Sequence, residues 1–418
     1  MCCNRMYEAR RKVFWFAIIS RIIVLSLQFF FNFICPDHNA DAFKAPTDNS
    51  EQISLYDSIV TFLFSGLARW DGEYFLHIAK YGYTYENTLA FYPLYPMLLR
   101  IISVPIRKIF FVLNVHSSIL ITAMLVNIIC FVKSAVIFYD LSKAVLKSTS
   151  VAYKAAILYC INPATIFFSA VYSESLFAYL SYYSMLRSIK LDPYVSFPIG
   201  LSILARSNGM VNIGFPIYYQ LQNFLLQTYN YLMFCTPNLN LTFIPEHITN
   251  FSIVNNLVLP GNSNVEWCHS KIPMAYSYIQ KRYWNVGFLN YYEIKQIPNF
   301  ILAFPILYIM IRCIKEYFFE HKKYFYTLGF IKGIGNNVET ERKKYPTEML
   351  VFVIHGLFLA IFCILFVHIQ VSTRLISSAS PLIYWYCKYT LKDKLILSYF
   401  LGYGVVGCFM FSNFLPWT

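Results

Sequence analysis

Charge is what this sequence has least of. Only 13% of its 418 residues are Asp, Glu, Lys or Arg, against 57% hydrophobic and 19% aromatic, whereas a soluble domain carries roughly 25% charged residues. The mean hydropathy of +0.48 has the same origin. So little charge cannot cover a water-facing surface of this size, and so much apolar content excludes disorder, collagen-like repeats, coiled coil and secreted disulfide scaffolds. A polytopic membrane protein remains. Soluble-enzyme signatures are also missing: no P-loop, GxSxG or HExxH occurs. Nor is there a DxD motif of the kind that clamps a metal and a sugar nucleotide. The eleven cysteines are scattered, and apart from Cys2-Cys3 they lack the close spacing of a zinc site. Neither metal nor cofactor is expected.

The charge that is present is asymmetric. Thirty-four Lys and Arg face 21 Asp and Glu, a net charge of +13. The basic residues gather between apolar runs, at 10–12, 143–154, 312–344 and 388–394, which is the positive-inside pattern of cytosolic loops and needs no nucleic acid. A first span is expected at 13–35, long enough for a crossing of about 20 residues, and further spans at 117–139, 151–170, 171–186, 194–218, 298–314, 349–368, 371–386 and 395–411. Residues 91–113 carry Pro93, Pro96 and Pro105 together with Arg100, Arg107 and Lys108, and read as an interfacial or re-entrant segment. The fold class is therefore all-α and polytopic, with about 8–11 transmembrane helices. Three connections are expected: a first lumenal loop at 36–114, a second at 220–297, and a basic cytosolic loop at 316–348. The second holds the sequons Asn240-Leu241-Thr242 and Asn250-Phe251-Ser252, and Cys235 and Cys268, which are placed to pair if that loop is lumenal.

The densest polar cluster follows the first span: Arg69-Trp70-Asp71-Gly72-Glu73-Tyr74-Phe75, then Tyr81-Gly82-Tyr83, Glu86 and Ala90-Phe91-Tyr92-Pro93. Headgroup anchoring accounts for the rings but not for two carboxylates beside a tryptophan. A ring packed on the C–H face of a sugar, next to a carboxylate that takes a hydroxyl proton, accounts for both. Elsewhere polar residues interrupt apolar runs: Arg21, Asn162-Pro163, Tyr172-Ser173-Glu174-Ser175, Arg206-Ser207-Asn208-Gly209, and His368, Gln370, Thr373 and Arg374. A charge at the bilayer centre costs about 2.5–3.5 kcal/mol on insertion scales. Singly, each reads equally well as an interhelical hydrogen bond or a snorkelling side chain. Together they imply a polar chamber opening toward the lumenal leaflet, with arginine forks suited to phosphate oxygens. No internal repeat is visible, which disfavours a lipid transporter or scramblase built of inverted repeats.

These stretches carry a resemblance. The chain resembles the PIG-V family, of the GT-C class of multispanning glycosyltransferases, in Pro36-Asp37-His38 with Ala40-Asp41-Ala42-Phe43, in Trp70-Asp71 with Glu73, and in Gly82-Tyr83 with Glu86. It continues through Tyr172-Ser173-Glu174, Arg206-Ser207-Asn208-Gly209, Lys295-Gln296-Ile297-Pro298-Asn299-Phe300, His368 with Gln370, Thr373-Arg374 and Leu415-Pro416-Trp417. Residues 316–348 match no motif of the family. The resemblance implies a GT-C fold in the endoplasmic reticulum membrane with its site facing the lumen. It implies transfer of mannose from dolichyl-phosphate mannose, α-1,6, to the first mannose of a mannosyl-glucosaminyl-phosphatidylinositol in GPI-anchor assembly. Another dolichyl-phosphate-sugar transferase of the class is the nearest alternative, and an accessory subunit is left unspecified.

A β-linked donor and an α-linked product mean inversion, hence one base and a stabilised leaving group. The class places its catalytic acid in the first lumenal loop, which implies Asp71 as base with Glu73 next. Asp37 or Asp41 would position acceptor hydroxyls, and Trp70 would pack on a sugar. Arg206 and Arg374 would meet the leaving phosphate, with His368 and Lys295 weaker candidates, unless these arginines pair with Glu174 or Glu293 instead. Glu86, Glu174, Asn208 and Gln370 complete the expected substrate-binding set.

Overall fold

In lipid a backbone must satisfy its own hydrogen bonds, so apolar runs become helices, and no strand occurs among the described residues. The computed structural model describes residues 2–40, 42–43, 53–224, 275–329, 344–387 and 394–417. Its first half contains α1 (Cys2–Ile34), α2 (Leu55–Phe64), α3 (Asp71–Tyr81), α4 (Leu94–Ile109), α5 (Val115–Leu146), α6 (Thr149–Cys160), α7 (Glu174–Ile189), α8 (Ser196–Ala205) and α9 (Gly214–Phe224). The second contains α10 (Ala275–Trp284), α11 (Ile297–Glu320), α12 (Lys322–Tyr326), α13 (Leu350–Leu365), α14 (Ser372–Ala379), α15 (Leu382–Cys387) and α16 (Lys394–Ser412).

Among the described residues, five stretches are long and apolar enough to cross a membrane: Tyr7–Ile34, Val115–Leu146, Ile294–Glu320, Thr347–Leu365 and Lys394–Ser412. The other expected spans are not single long helices. Residues 151–170 form α6 and then a 3₁₀ turn at Thr165–Phe168, 194–218 divide into α8, a 3₁₀ segment Ser207–Ile213 and α9, and 371–386 divide into α14 and α15. Residues 171–186 contribute α7, which has 16 residues. The segment 91–113 yields α4, also 16 residues with Pro105 inside it; at ~1.5 Å per residue it is about 24 Å long, short of a bilayer core of about 30 Å.

The breaks have chemical causes. Pro163 follows the end of α6 and Pro381 the end of α14, and a residue before proline is driven out of the helical region; Ser380 is extended, with φ −115° and ψ 124°. At the third break Arg206 is extended, and the chain folds back so tightly that a Cβ on Gly209 would lie 2.3 Å from the Ser202 carbonyl oxygen. Only glycine permits that approach. Each break frees carbonyls that need donors. Arg21 supplies them at the first: its fully buried guanidinium donates to the carbonyls of Thr165 (2.9 Å) and Cys160 (3.4 Å) and to Ser169 Oγ (3.0 Å). The charge in the first span is thus the cap of a broken helix. Irregular backbone survives at membrane depth when it is buried in protein in this way.

Helix α7 packs against α5, α8, α9 and α14. Its Ser175, Ser181, Ser184 and Ser188 are buried; small side chains let helices approach where lipid removes the hydrophobic drive. The two ends of the bundle differ in charge. At one, Arg10 pairs with Asp140, near Lys143 and Lys190, and Lys147 pairs with Glu348. At the other, α1 and α16 end and α3 and α7 begin, joined by His38 N–H to the Asn413 carbonyl (2.9 Å) and Val171 N–H to the Leu67 carbonyl (3.0 Å).

Candidate active site

The residue before α3 adopts a conformation that side chains avoid. Trp70 has φ 54° and ψ −118°, and its side chain does not cap the helix. A non-glycine residue at positive φ outside the left-handed well costs of order 1–3 kcal/mol and persists only where its surroundings hold it. Two neighbours do so. Arg69 donates from Nη2 to both Asp37 carboxylate oxygens and to Asn32 Oδ1, each at 2.9 Å, and from Nε to the Ser412 carbonyl (3.1 Å). On the other side of Trp70, the Asp71 N–H donates to the Tyr172 hydroxyl oxygen at 3.0 Å. Asp71 is the first residue of α3, so its carboxylate projects from a helix start, where a negative charge is favoured.

Opposite it stands Arg374. Its Nη1 donates to Asp71 Oδ2 at 2.8 Å, and its Nε lies 3.9 Å from Glu174 Oε1. The same Glu174 oxygen is ion-paired with Arg206 Nη1. The guanidinium of Arg374 lies 5.4 Å from the ring centres of both Phe167 and Tyr172. A chain of alternating charge, Arg206–Glu174–Arg374–Asp71, therefore runs through the site and sums to zero. Its middle is the most buried part: the Glu174 side chain is 0% exposed, Arg374 16%, Arg206 17% and Asp71 31%. The open end is the carboxylate of Asp71.

The expected residues divide on this geometry. Asp71, Glu174, Arg206 and Arg374 come together from α3, α7, the break after α8, and α14. The two arginines are paired with acids rather than free. Asp37, expected to hold an acceptor hydroxyl, has both oxygens on Arg69, because that guanidinium locks the exit of α1 to the turn at Trp70. Glu73 lies on the first turn of α3, half-buried, in the field of Arg69. Trp70 packs edge-on against Phe414 at 6.0 Å, with its indole N–H buried and without a protein partner. Asn208, two residues after Arg206, likewise keeps a buried, unpartnered Nδ2.

Other expected residues lie outside the charged chain. Glu86 accepts from the Tyr283 hydroxyl (2.6 Å) and pairs with Arg282 on α10. Lys295 is 74% exposed and paired with Glu293. His368 stacks on Tyr291 at 4.5 Å, and the Tyr291 hydroxyl donates to Gln370 Oε1 (2.9 Å) while accepting from Asn299 Nδ2 (2.8 Å). Burial pushes the His368 pKa down. On the inner side of α3, burial lowers the His77 pKa to about 4, so it is neutral. Asp41, Cys235, Cys268 and both sequons lie outside the described residues. Among the described residues no cluster of three His, Cys, Asp or Glu side chains is placed to hold a metal.

Sequence reasoning gave no role to Arg69 or Tyr172. Arg69 carried a signal, as a lone arginine directly beside the acids of a loop otherwise poor in base. Tyr172 stood in the Tyr172-Ser173-Glu174 stretch of the resemblance, but nothing there assigned its hydroxyl a partner.

The family model described as "Mannosyltransferase (PIG-V)" matches residues 10–418. "GPI mannosyltransferase 2" of Drosophila melanogaster is 34% identical over 97% of this chain and 99% of its own length. "GPI alpha-1,6-mannosyltransferase 2" of Cricetulus griseus is 32% identical, and that of Homo sapiens 31%, each over 98% of this chain and 99% of the relative. No solved structure matches the chain.

Proposed function

The chain belongs to the PIG-V family of mannosyltransferases, and from that premise we propose that it adds the second mannose of the GPI anchor. The donor is dolichyl-phosphate mannose, and the acceptor hydroxyl is the 6-OH of the first mannose on glucosaminyl-phosphatidylinositol. The observation that carries the reading is the meeting of Asp71, Glu174, Arg206 and Arg374, from segments far apart in sequence, at the end of the bundle away from its basic loops. In this reading that end faces the lumen of the endoplasmic reticulum, residues 36–114 and 220–297 are lumenal, and 316–348 are cytosolic.

The acceptor oxygen attacks the anomeric carbon as the bond from that carbon to the phosphate oxygen breaks. The electron pair leaves with the phosphate, the hydroxyl proton passes to Asp71, and the β-linked donor gives an α-linked product. Charge moves with it. Before transfer the network is neutral and the donor phosphodiester carries one negative charge. Afterwards protonated Asp71 has lost a charge and dolichyl phosphate has gained one. Negative charge thus passes from the partner that Arg374 now holds to the phosphate, and a guanidinium already oriented between two carboxylates meets it without reorganisation. The leaving phosphate is weakly basic and needs no protein acid. Arg374→Lys replaces a planar fork by a point donor, and is expected to raise the donor KM and lower kcat by at least about tenfold each, the scale of one charge-assisted bond. Unchanged donor KM and rate in a membrane transfer assay would remove Arg374 from the phosphate site.

Expression in cells that lack the second GPI mannosyltransferase tests the whole reading. Surface GPI-anchored proteins are expected to return and the accumulated one-mannose glycolipid to disappear. Persistence of that glycolipid, with the protein inserted in the membrane, overturns it.

A further inference from the structure

We propose that Tyr172 is a positioning residue for Asp71, acting through its hydroxyl on the turn that aims the carboxylate; this rests on the reading of Asp71 as the base. The first N–H groups of a helix have no partner within it, and at α3 the side chain of Trp70 supplies none. The Tyr172 hydroxyl takes that place from 101 residues away, accepting from the Asp71 N–H at 3.0 Å. Its proton is directed to the Arg69 carbonyl at 3.4 Å. One hydroxyl thus spans the left-handed residue, bonded to the peptide groups on either side of it. The turn with Trp70 at φ 54° is closed by its own Gly72 N–H to Arg69 carbonyl bond (3.0 Å), and the hydroxyl bridge ties that turn to α7's approach and fixes the direction in which Asp71 leaves it.

The ring is fixed independently. Tyr172 is 2% exposed, with Phe75, Phe167 and Phe411 edge-on around it at 5.2 to 6.2 Å. Its face lies 5.4 Å from the Arg374 guanidinium carbon. The residue therefore touches both members of the Asp71–Arg374 pair, one through its hydroxyl and the other through its ring. Removing the hydroxyl alone separates the two contacts.

The test is Tyr172→Phe in the full-length protein, assayed with dolichyl-phosphate mannose and a one-mannose glycolipid acceptor. The ring keeps its packing and its face toward Arg374, and melting in detergent reports the fold separately. Misplacing a catalytic group by about 1 Å can cost about 10²-fold, so kcat is expected to fall by about 10- to 100-fold while both KM values stay within about twofold. The same substitution in an Asp71→Asn background, followed with radiolabelled donor at high enzyme concentration, is expected to add nothing, because the group it positions is gone. A kcat within about threefold of wild type, a loss confined to KM, or a full multiplicative loss in the Asn background overturns the proposal. Failure of the base assignment is separate: it shows as near-normal transfer by Asp71→Asn alone.

Discussion

Asp71→Asn is expected to lower kcat by about 10²- to 10⁴-fold, the usual contribution of a positioned general base, while leaving the protein folded and inserted. The substitution is nearly isosteric, and its amide oxygen can still accept from Arg374 Nη1, now 2.8 Å from Oδ2. What is lost is the charge and the ability to take a proton. The four-residue network then carries a net charge of +1 in place of zero, so the donor phosphodiester should bind no worse and its KM should hold or fall. That combination, a collapsed rate with an unraised donor KM, separates loss of the base from general damage to the site. Transfer with radiolabelled donor in membranes of matched protein content measures it, and near-normal turnover would sink the assignment.

The chemistry-bearing motifs were readable in the sequence because membrane segments exclude charge, so each buried acid or arginine stands out against its surroundings. Their pairing was not readable. Asp71 and Arg374 are 303 residues apart, and nothing in local spacing says which carboxylate a given arginine meets. Hence Arg206 and Arg374 read either as cations for phosphate or as partners of Glu174 or Glu293, and both stand against Glu174, while Asp37 reads as a sugar ligand and has both oxygens on Arg69. The same limit governs the spans. Hydropathy finds apolar runs but does not resolve whether a run is one helix or two, and the polar motifs at Pro163, Arg206–Gly209 and Pro381 are where the helices stop. Arg21 shows the connection: its charge is tolerated in the first span because the break after α6 leaves carbonyls for it to cap. The left-handed Trp70 was the least legible feature, since tryptophan gives no conformational signal for positive φ.

Glu174→Gln is expected to have the largest effect on stability. The carboxylate is fully buried and stands between two guanidiniums, so the mutation leaves two largely buried arginines without the charge that they share. Breaking a buried pair from one side costs about 3–5 kcal/mol, because the remaining charge is uncompensated. Folded protein in membranes should fall sharply, melting in detergent should move down, and added salt should not restore it, since screening acts on exposed charges. An unchanged melting temperature would mean that Glu174 does not hold the arginines. The double substitution Glu174→Met with Arg206→Met removes both members of the pair and is expected to recover most of the stability, as apolar replacements of buried ion pairs commonly do. It should not recover transfer. Arg374 would then answer to Asp71 alone, with no second carboxylate to draw it off, and a base held by an undivided guanidinium gives up that partner less readily when the acceptor proton arrives.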